Sequence, residues 1–265
     1  MTIHDRDLEA AMASLFTTAP PSLAPGVLAA VGLADRYARI ESPIGSLAVA
    51  WNGIGVSSVD DAVDDAAFEA SHRARTGRRA ISAERLPAAL ERAIRRRLAG
   101  DRRVRIDLDL RSHTSFERDV WDKALEIPRG EVRPYGWIAA EIGRPRAVRA
   151  VGTALGHNPV PLIVPCHRVV RSDGTIGQYS LGGSHNKRTI LAAEGLDPDR
   201  LESDARTGIR FVGSDTTGVV CLPSCHHARR ITAAHRVPFR SMAGAIAAGY
   251  RPCRACRSGS GAIAA

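Results

Sequence analysis

The chain has 265 residues, 44% of them hydrophobic, and no run of about eighteen consecutive apolar residues that would cross a bilayer as a helix, so it is sized for one or two ordinary domains plus a small appendage. The opening Met-Thr-Ile-His-Asp-Arg-Asp lacks a secretory leader, and an odd cysteine count of five argues against a disulfide framework, so a cytoplasmic, monomeric chain with no membrane partner is expected. The net charge of +9 is uneven: acids and bases balance through residue 100, whereas residues 216–265 hold seven arginines and no acid, pointing to a polyanion such as nucleic acid rather than a merely solvated basic surface.

Leu8, Met12, Leu15 and Phe16 have helical spacing, followed by a proline-rich break at Pro20, Pro21 and Pro25. Residues 37–59 read as a hairpin region, with turns at Pro43-Ile-Gly and at Asn52-Gly53. Residues 60–80 are charged and carry no clear pattern. Leu86, Leu90, Ile94 and Leu98 recur every four residues, which predicts an amphipathic helix stopped near Gly100, with Arg92, Arg95, Arg96 and Arg97 on its solvated face. Val104, Ile106, Leu108 and Leu110 then alternate with charged residues, which is strand periodicity.

Thr114 and Glu117 form a capping box for a helix that buries Phe116, Val120, Trp121 and Leu125. After a turn at Pro128-Arg-Gly130, a short helix spans about residues 136–142, and Pro145 is expected to open a second one running to Leu155. On that second helix Val148, Val151 and Leu155 would share one face, and Arg146 with Arg149 another. Helix, tight turn, helix with exposed arginines reads as a DNA-docking element, although the pattern alone fits an ordinary helical hairpin equally well.

Residues 160–164 are apolar and are expected to form a short buried strand ended by Pro165, which would leave Cys166 at its terminus facing a cleft. His167, next in sequence, can hold the thiolate, the nucleophilic form. A buried structural cysteine is the plain alternative. The company of this thiol weighs against it. Arg149-Ala-Val-Gly-Thr-Ala, Asn158-Pro159, Pro165-Cys166-His167-Arg168-Val169, Gly177, Tyr179, Lys187 and Glu194-Gly195-Leu196 follow one another in order. Together they resemble the 6-O-alkylguanine-DNA alkyltransferase family.

That resemblance implies direct, irreversible, single-turnover repair of double-stranded DNA carrying alkylated bases, with no cofactor for the guanine reaction. Cys166 would be the nucleophile and acceptor, His167 its base, Glu194 the carboxylate orienting the imidazole, and Asn158 the brace of the turn beside the sulfur. The lesion would have to be flipped out of the duplex. Arg149 would replace the flipped base, Tyr135 would turn the phosphate and touch the base, and Ala150 and Gly152 would permit close approach to the minor groove. Tyr179 and Ser180 would line the base pocket, with Arg146 and Arg168 as further DNA contacts. A lesion-binding protein or zinc-dependent regulator without transfer, and a cysteine hydrolase, are the other classes considered.

Cys221-Leu-Pro-Ser-Cys225 and Cys253-Arg-Ala-Cys256, with 27 residues between the pairs, suit a closed tetrahedral zinc site, since so small a segment buries too little apolar surface to be stable alone. His226, His227 and His235 are substitute ligands, and disulfides are the alternative. Residues 211–257, through Thr216-Thr-Gly218, Arg236-Val-Pro-Phe239 and Ala247-Ala-Gly-Tyr-Arg-Pro-Cys253, resemble the zinc domain of the bacterial Ada protein. By that resemblance Cys221 is both ligand and acceptor of methyl from DNA phosphotriesters. The expected architecture is α/β: an extension (1–36), a three-layer-like sheet domain (37–112), a helical alkyltransferase domain with a helix-turn-helix (113–200), and a small α+β zinc domain (207–258).

Overall fold

The computed structural model describes residues 23–256. It opens on α1 (Leu23–Ala30), so Pro25 lies inside a helix instead of breaking one; the first turn tolerates proline because its missing N–H has no helical acceptor there. The helical spacing at Leu8, Met12, Leu15 and Phe16, and the prolines at 20 and 21, lie outside the described residues. Three antiparallel strands follow, β1 (Ala34–Ser42), β2 (Gly45–Trp51) and β3 (Val56–Asp60), joined at the two expected turns. The Asn52 side chain accepts hydrogen bonds from the Ile54 and Gly55 N–H groups at 2.8 and 3.3 Å, which closes the second turn.

The segment without a clear pattern folds into α2 (Asp65–Thr76) and β4 (Arg79–Ser82). Helix α2 buries only Phe68 and His72, so its apolar stripe is too thin to read as a period. Its ends are well specified all the same, by Asp64 accepting from Ala67 N and by Gly77 at φ 73°. Strand β4 lies parallel to β1, giving the order β3-β2-β1-β4. The amphipathic helix is α3 (Ala88–Leu98). Residues 104–110 do not form the expected strand; a single bridge joins Leu108 to Val56. Gly55 permits it, since a Cβ there would sit 2.2 Å from the Asp107 carbonyl oxygen. Asp109 then turns inward to Asn52, Arg78 and Arg111, ending any ladder.

Helix α4 (Ser115–Leu125) carries the capping box and buries Val120, Trp121 and Ala124, while Phe116 and Leu125 are only partly covered. Strand β5 (Arg133–Pro134) leads into α5 (Tyr135–Glu141). Helix α6 (Val148–Gly156) starts three residues later than the proline implies, so Arg146 sits in the turn before it. Val148 is 39% exposed, unlike Val151 and Leu155. The Trp121 indole N–H donates to the Ala154 carbonyl at 2.9 Å and ties α4 to α6.

Residues 160–164 are buried, as their composition requires, but form a tight turn with a Pro161–Val164 bridge instead of a strand. Leu162 takes φ 72°, the one positive φ among described non-glycine residues, and a left-handed residue cannot continue an extended run. The N-terminal sheet supports this turn directly, since Val59 N–H of β3 donates to Pro159 O at 2.8 Å. Beyond it lie β6 (Val169–Val170), parallel to β5, then α7 (Gly183–Ala193) and α8 (Pro198–Arg206).

The tail is a second sheet, β7 (Phe211–Ser214), β8 (Val219–Cys221), β9 (Arg236–Phe239) and β10 (Arg251–Pro252), ordered β10-β8-β7-β9, with α9 (Met242–Ala247) packed on it. Its core is small, holding Phe211, Val220, Met242 and Ala245 around four buried cysteines. Among the described residues no helix is long and apolar enough to cross a membrane.

Replacing Thr114 with Ala removes the hydroxyl that accepts from the Glu117 N–H and donates to its carboxylate, while the backbone N–H of residue 114 can still reach Glu117. Urea unfolding should show a loss of about 1 kcal/mol with an unchanged m-value.

Candidate functional site

Cys166 opens a single 3-10 turn, Cys166–Arg168, held by Pro165 before it and by β6 after it. The turn sends its three consecutive side chains to two side-chain partners, one against Cys166 and one shared by His167 and Arg168. The first is Asn158, whose side-chain amide donates to the Cys166 sulfur at 3.0 Å and to the Val164 carbonyl at 3.0 Å, while its oxygen accepts from Val160 N–H at 3.1 Å. Asn158 thereby fixes both the backbone ahead of the thiol and the sulfur itself.

The second is Glu194, the residue capping α7. His167 Nε2 lies 3.1 Å from Glu194 Oε1. Burial pushes Glu194 up, but hydrogen bonds from His167 and Arg168 outweigh it and hold the carboxyl down at about 2. An ionised carboxylate only accepts, so Nε2 carries the proton and Nδ1 is the bare nitrogen. Nδ1 is buried with no hydrogen-bond partner, and burial keeps the imidazole below its ordinary value, hence neutral. A neutral imidazole with a free, buried Nδ1 is a base waiting for a proton.

Cys166 is 5% exposed. Burial pushes its thiol up, against the Asn158 hydrogen bond and the nearby Lys187 ammonium, so the resting sulfur is protonated rather than a standing thiolate. Lys187 is itself buried, drawn down to about 8 by desolvation, and its Nζ donates to the Val169 carbonyl at 2.6 Å. The Tyr179 ring packs edge-on to His167 at 6.1 Å, and its buried hydroxyl, next to the sulfur, has no hydrogen bond of ordinary geometry.

Arg168, the third side chain of the turn, departs from the expectation that it contacts DNA. It is buried, donates through Nε and Nη2 to Glu194 at 2.6 to 3.2 Å, and gives Nη1 to the Ile127 carbonyl at 2.7 Å. A guanidinium spent on a buried bidentate pair is not available to a phosphate. Arg149 and Arg146 are exposed, Arg149 on α6 and Arg146 in the preceding turn, so they do not share the helix face expected of them. Tyr135, Arg149 and Gly152 line one cavity of about 710 Å³, whereas Ser180 and Asn158 line another of about 410 Å³. The structure therefore gathers Cys166, His167, Glu194, Asn158 and Tyr179, and leaves Ser180 on a different opening from Tyr135. Sequence reasoning quoted Lys187 as a motif residue but gave no role to its buried amine near the sulfur; its position seven residues before Glu194, on the helix that Glu194 caps, was the available signal.

In the tail, the sulfurs of Cys221, Cys225, Cys253 and Cys256 all lie within 4.8 Å of one another, each buried. Hydrogen bonds from Cys221 and Cys256 draw Cys225 down, and the same contact pushes Cys221 up, so the four cannot all ionise without a cation between them. A soft, all-thiolate, closed tetrahedral set fits zinc. His226 and His235 are engaged elsewhere, with Glu131 at 2.7 Å and Asp215 at 2.9 Å, and are not needed as ligands. Cys221 also lines a cavity of about 510 Å³ with Arg230, Arg251 and Arg254.

A thiol next to a histidine with an unpartnered ring nitrogen thus shares the chain with a pair of helices joined by a tight turn and with a cluster of four cysteines suited to zinc. Residues 115–196 match the family model for the 6-O-methylguanine DNA methyltransferase DNA binding domain, and residues 200–258 match the metal binding domain of Ada. Together the two segments cover more than half of the 265 residues, the first matching the methyltransferase DNA binding domain and the second a separate metal binding domain. It is 52% identical over 89 residues to the Mycobacterium bovis methylated-DNA–protein-cysteine methyltransferase, covering 34% of this chain and 53% of that one. It is 46% identical over 101 residues to the Rattus norvegicus protein of the same name, covering 38% and 47%. The chain thus spans about half the length of these curated relatives. A crystal structure of Mycobacterium tuberculosis OGT in complex with DNA aligns with 35% identity and a TM-score of 0.49, covering 60% of this chain and 93% of that one.

Because the folded carboxyl of Glu194 titrates at about 2 and an unperturbed one at 4.5, its stabilisation is full above pH 4.5 and is lost as pH falls toward 2. Glu194→Gln should therefore lose stability on the order of 3 kcal/mol at neutral pH, with the gap to the unmutated protein closing across that acid window in denaturant titrations. Metal analysis of the purified chain should find one zinc per molecule. Cys253→Ser should weaken its retention and leave the tail amides unprotected in hydrogen exchange.

Proposed function

We propose that the chain repairs DNA by moving an alkyl group from O6 of an alkylated guanine onto Cys166. The observation that carries this reading is the free Nδ1 of a neutral His167 whose Nε2–H is locked on an ionised Glu194, one residue from the thiol. The Cys166 proton passes through one water to Nδ1, and the sulfur attacks the alkyl carbon. The S–C bond forms as the C–O bond breaks, the electron pair leaves on O6, and the guanine anion takes a proton from solvent. The new thioether is not hydrolysed, so each molecule acts once, and the guanine reaction needs no cofactor.

Because Cys166 is buried, the base must leave the duplex to meet it. Exposed Arg149 on α6 would fill the gap in the stack, and half-buried Tyr135 at the start of α5 would meet the flipped nucleotide. Gly152 keeps that helix face low, since even a Cβ there would reach the Tyr135 ring at 3.9 Å. Arg146 remains a candidate for a flanking phosphate, and Ser180 for the rim of the base pocket. The labour is divided among residues 37–112, which brace the site, 113–200, which carry it, and 207–258, which hold zinc. A cytoplasmic setting, where thiols stay reduced, suits five free cysteines.

For the tail, the cavity joining Cys221 to three arginines supports a second acceptor role, toward methyl phosphotriesters of the DNA backbone. Zinc supplies a thiolate there without a base, while Arg230, Arg251 and Arg254 would bind flanking phosphates. If methylated backbone leaves no methyl on Cys221 of the zinc-loaded protein, the tail is a DNA-binding zinc module instead.

The decisive experiment incubates the protein with duplex DNA carrying 6-O-methylguanine and locates added methyl by peptide mass. Methyl on Cys166, absent in Cys166→Ala, is expected; lesion binding without transfer would establish the non-catalytic reading. The transfer rate should rise with pH as the upward-shifted thiol ionises, and fall below the imidazole's lowered value, under pH 6.5. Arg149→Ala should slow transfer from duplex DNA on the order of tenfold while leaving Cys166 labelling by small alkylating reagents unchanged.

A further inference from the structure

Four consecutive residues, 130–133, touch the Cys166 relay on one side and both cysteine knuckles of the tail on the other. Gly130 N–H donates to Glu194 Oε2 at 3.2 Å. Its φ of 73° suits glycine, and a Cβ there would lie 2.8 Å from the Glu194 carbonyl oxygen and 3.3 Å from Arg229 of the tail. Glu131 is 1% exposed; it accepts from His226 N–H at 3.1 Å, faces His226 Nδ1 at 2.7 Å and pairs with Arg133 at 2.7 Å. Val132 exchanges two hydrogen bonds with the Ser224 hydroxyl, at 3.0 and 3.2 Å. Arg133 reaches the Ala255 carbonyl at 3.4 Å, and its backbone pairs with Val169 directly after the Cys166 turn.

Ser224 and His226 flank Cys225, and Ala255 precedes Cys256, so each contact lands next to a sulfur rather than on a remote loop. The knuckles have little apolar core of their own to fix them. Their shape, and hence the placement of Ser224 and His226, follows the metal. We infer that Glu131 and Ser224 are positioning residues for Cys166: a metal-ordered tail clamps residues 130–133, which keeps the Gly130 N–H on Glu194 and so fixes the carboxylate that orients His167. The inference rests on the alkyl-transfer reading. It requires only that a conformational difference in the tail be transmitted through contiguous hydrogen bonds over a few residues.

The test uses the full chain, zinc-loaded and after chelation, together with Ser224→Ala and Glu131→Ala, both checked for retained metal. Iodoacetamide labelling of Cys166, mapped by peptide mass across pH, reads the thiol without DNA. Chelation and both variants should slow labelling on the order of tenfold near neutrality and move its pH profile upward, a response that loss of stability alone would not produce. Exchange of the Gly130 and Val132 amides should rise in parallel. Ser224→Ala is the milder change, and it keeps the test meaningful should Glu131→Ala unfold through its stranded arginine. Unchanged rate and profile while those amides exchange faster would overturn the inference, as would unchanged amide exchange on chelation. Methyl transfer from 6-O-methylguanine DNA, measured alongside, separates the two readings. Labelling that follows the metal without any transfer keeps the clamp and sinks the repair reading; transfer equally fast with and without zinc does the reverse.

Discussion

One buried carboxylate sets the arrangement of everything around the thiol. Glu194 receives the imidazole of His167, the guanidinium of Arg168 and the backbone N–H of Gly130, and stays ionised because these donors outweigh its desolvation. Its charge fixes the histidine tautomer, and the tautomer decides which nitrogen faces an incoming proton. Arg168 makes the pairing robust, since a bidentate guanidinium holds the carboxylate plane and not merely its charge. An uncharged residue at position 194 would leave two donors buried and unmatched.

The scaffold is organised to keep that cluster rigid from several directions. Asn158 grips the sulfur and the turn ahead of it, and β3 of the N-terminal sheet grips Pro159 beside Asn158. Trp121 pins α4 to the end of α6, so the helix proposed to enter DNA and the turn leading to the thiol are fixed to the same core. The N-terminal sheet thus has a mechanical part to play, holding the turn that leads to Cys166. Its own buried network, Asp35 with Arg78, Asn52 and Ser57, is fully paired and serves to lock β1 to its neighbours.

The resting thiol is neutral, which matters for a protein proposed to be spent by one reaction. A standing thiolate would be open to any electrophile. Burial keeps the sulfur protonated until a base takes its proton, and the bare Nδ1 of His167 is the nitrogen proposed to take it. The tail would solve the same problem differently: four sulfurs crowded within 4.8 Å would hold one cation, which would keep a thiolate without a base.

Much of the site was legible in the sequence because its chemistry is local. Cys166 and His167 are adjacent, Thr114 and Glu117 cap a helix three residues apart, and the two cysteine pairs carry their ligand spacing on their face. The zinc module was read for the same reason, since each cysteine pair is close along the chain, whereas the helix-turn-helix pattern alone fits an ordinary helical hairpin and was read from its context. What failed did so where long-range contact overrides local pattern. Alternation at 104–110 met only a single bridge, because Asp109 was claimed by a distant arginine; the apolar run at 160–164 folded into a turn, beside which Val59 of the distant β3 donates to Pro159. Arg168, expected to contact DNA by the family resemblance, was captured by a carboxylate twenty-six residues away. The chain by itself determined which groups can react and which metal they suit, since bond-forming chemistry belongs to residue types. Only the folded structure decided which charges are consumed internally, which nitrogen is free, and that residues 130–133 join the two centres, because those outcomes depend on burial and on partners that sequence distance does not reveal.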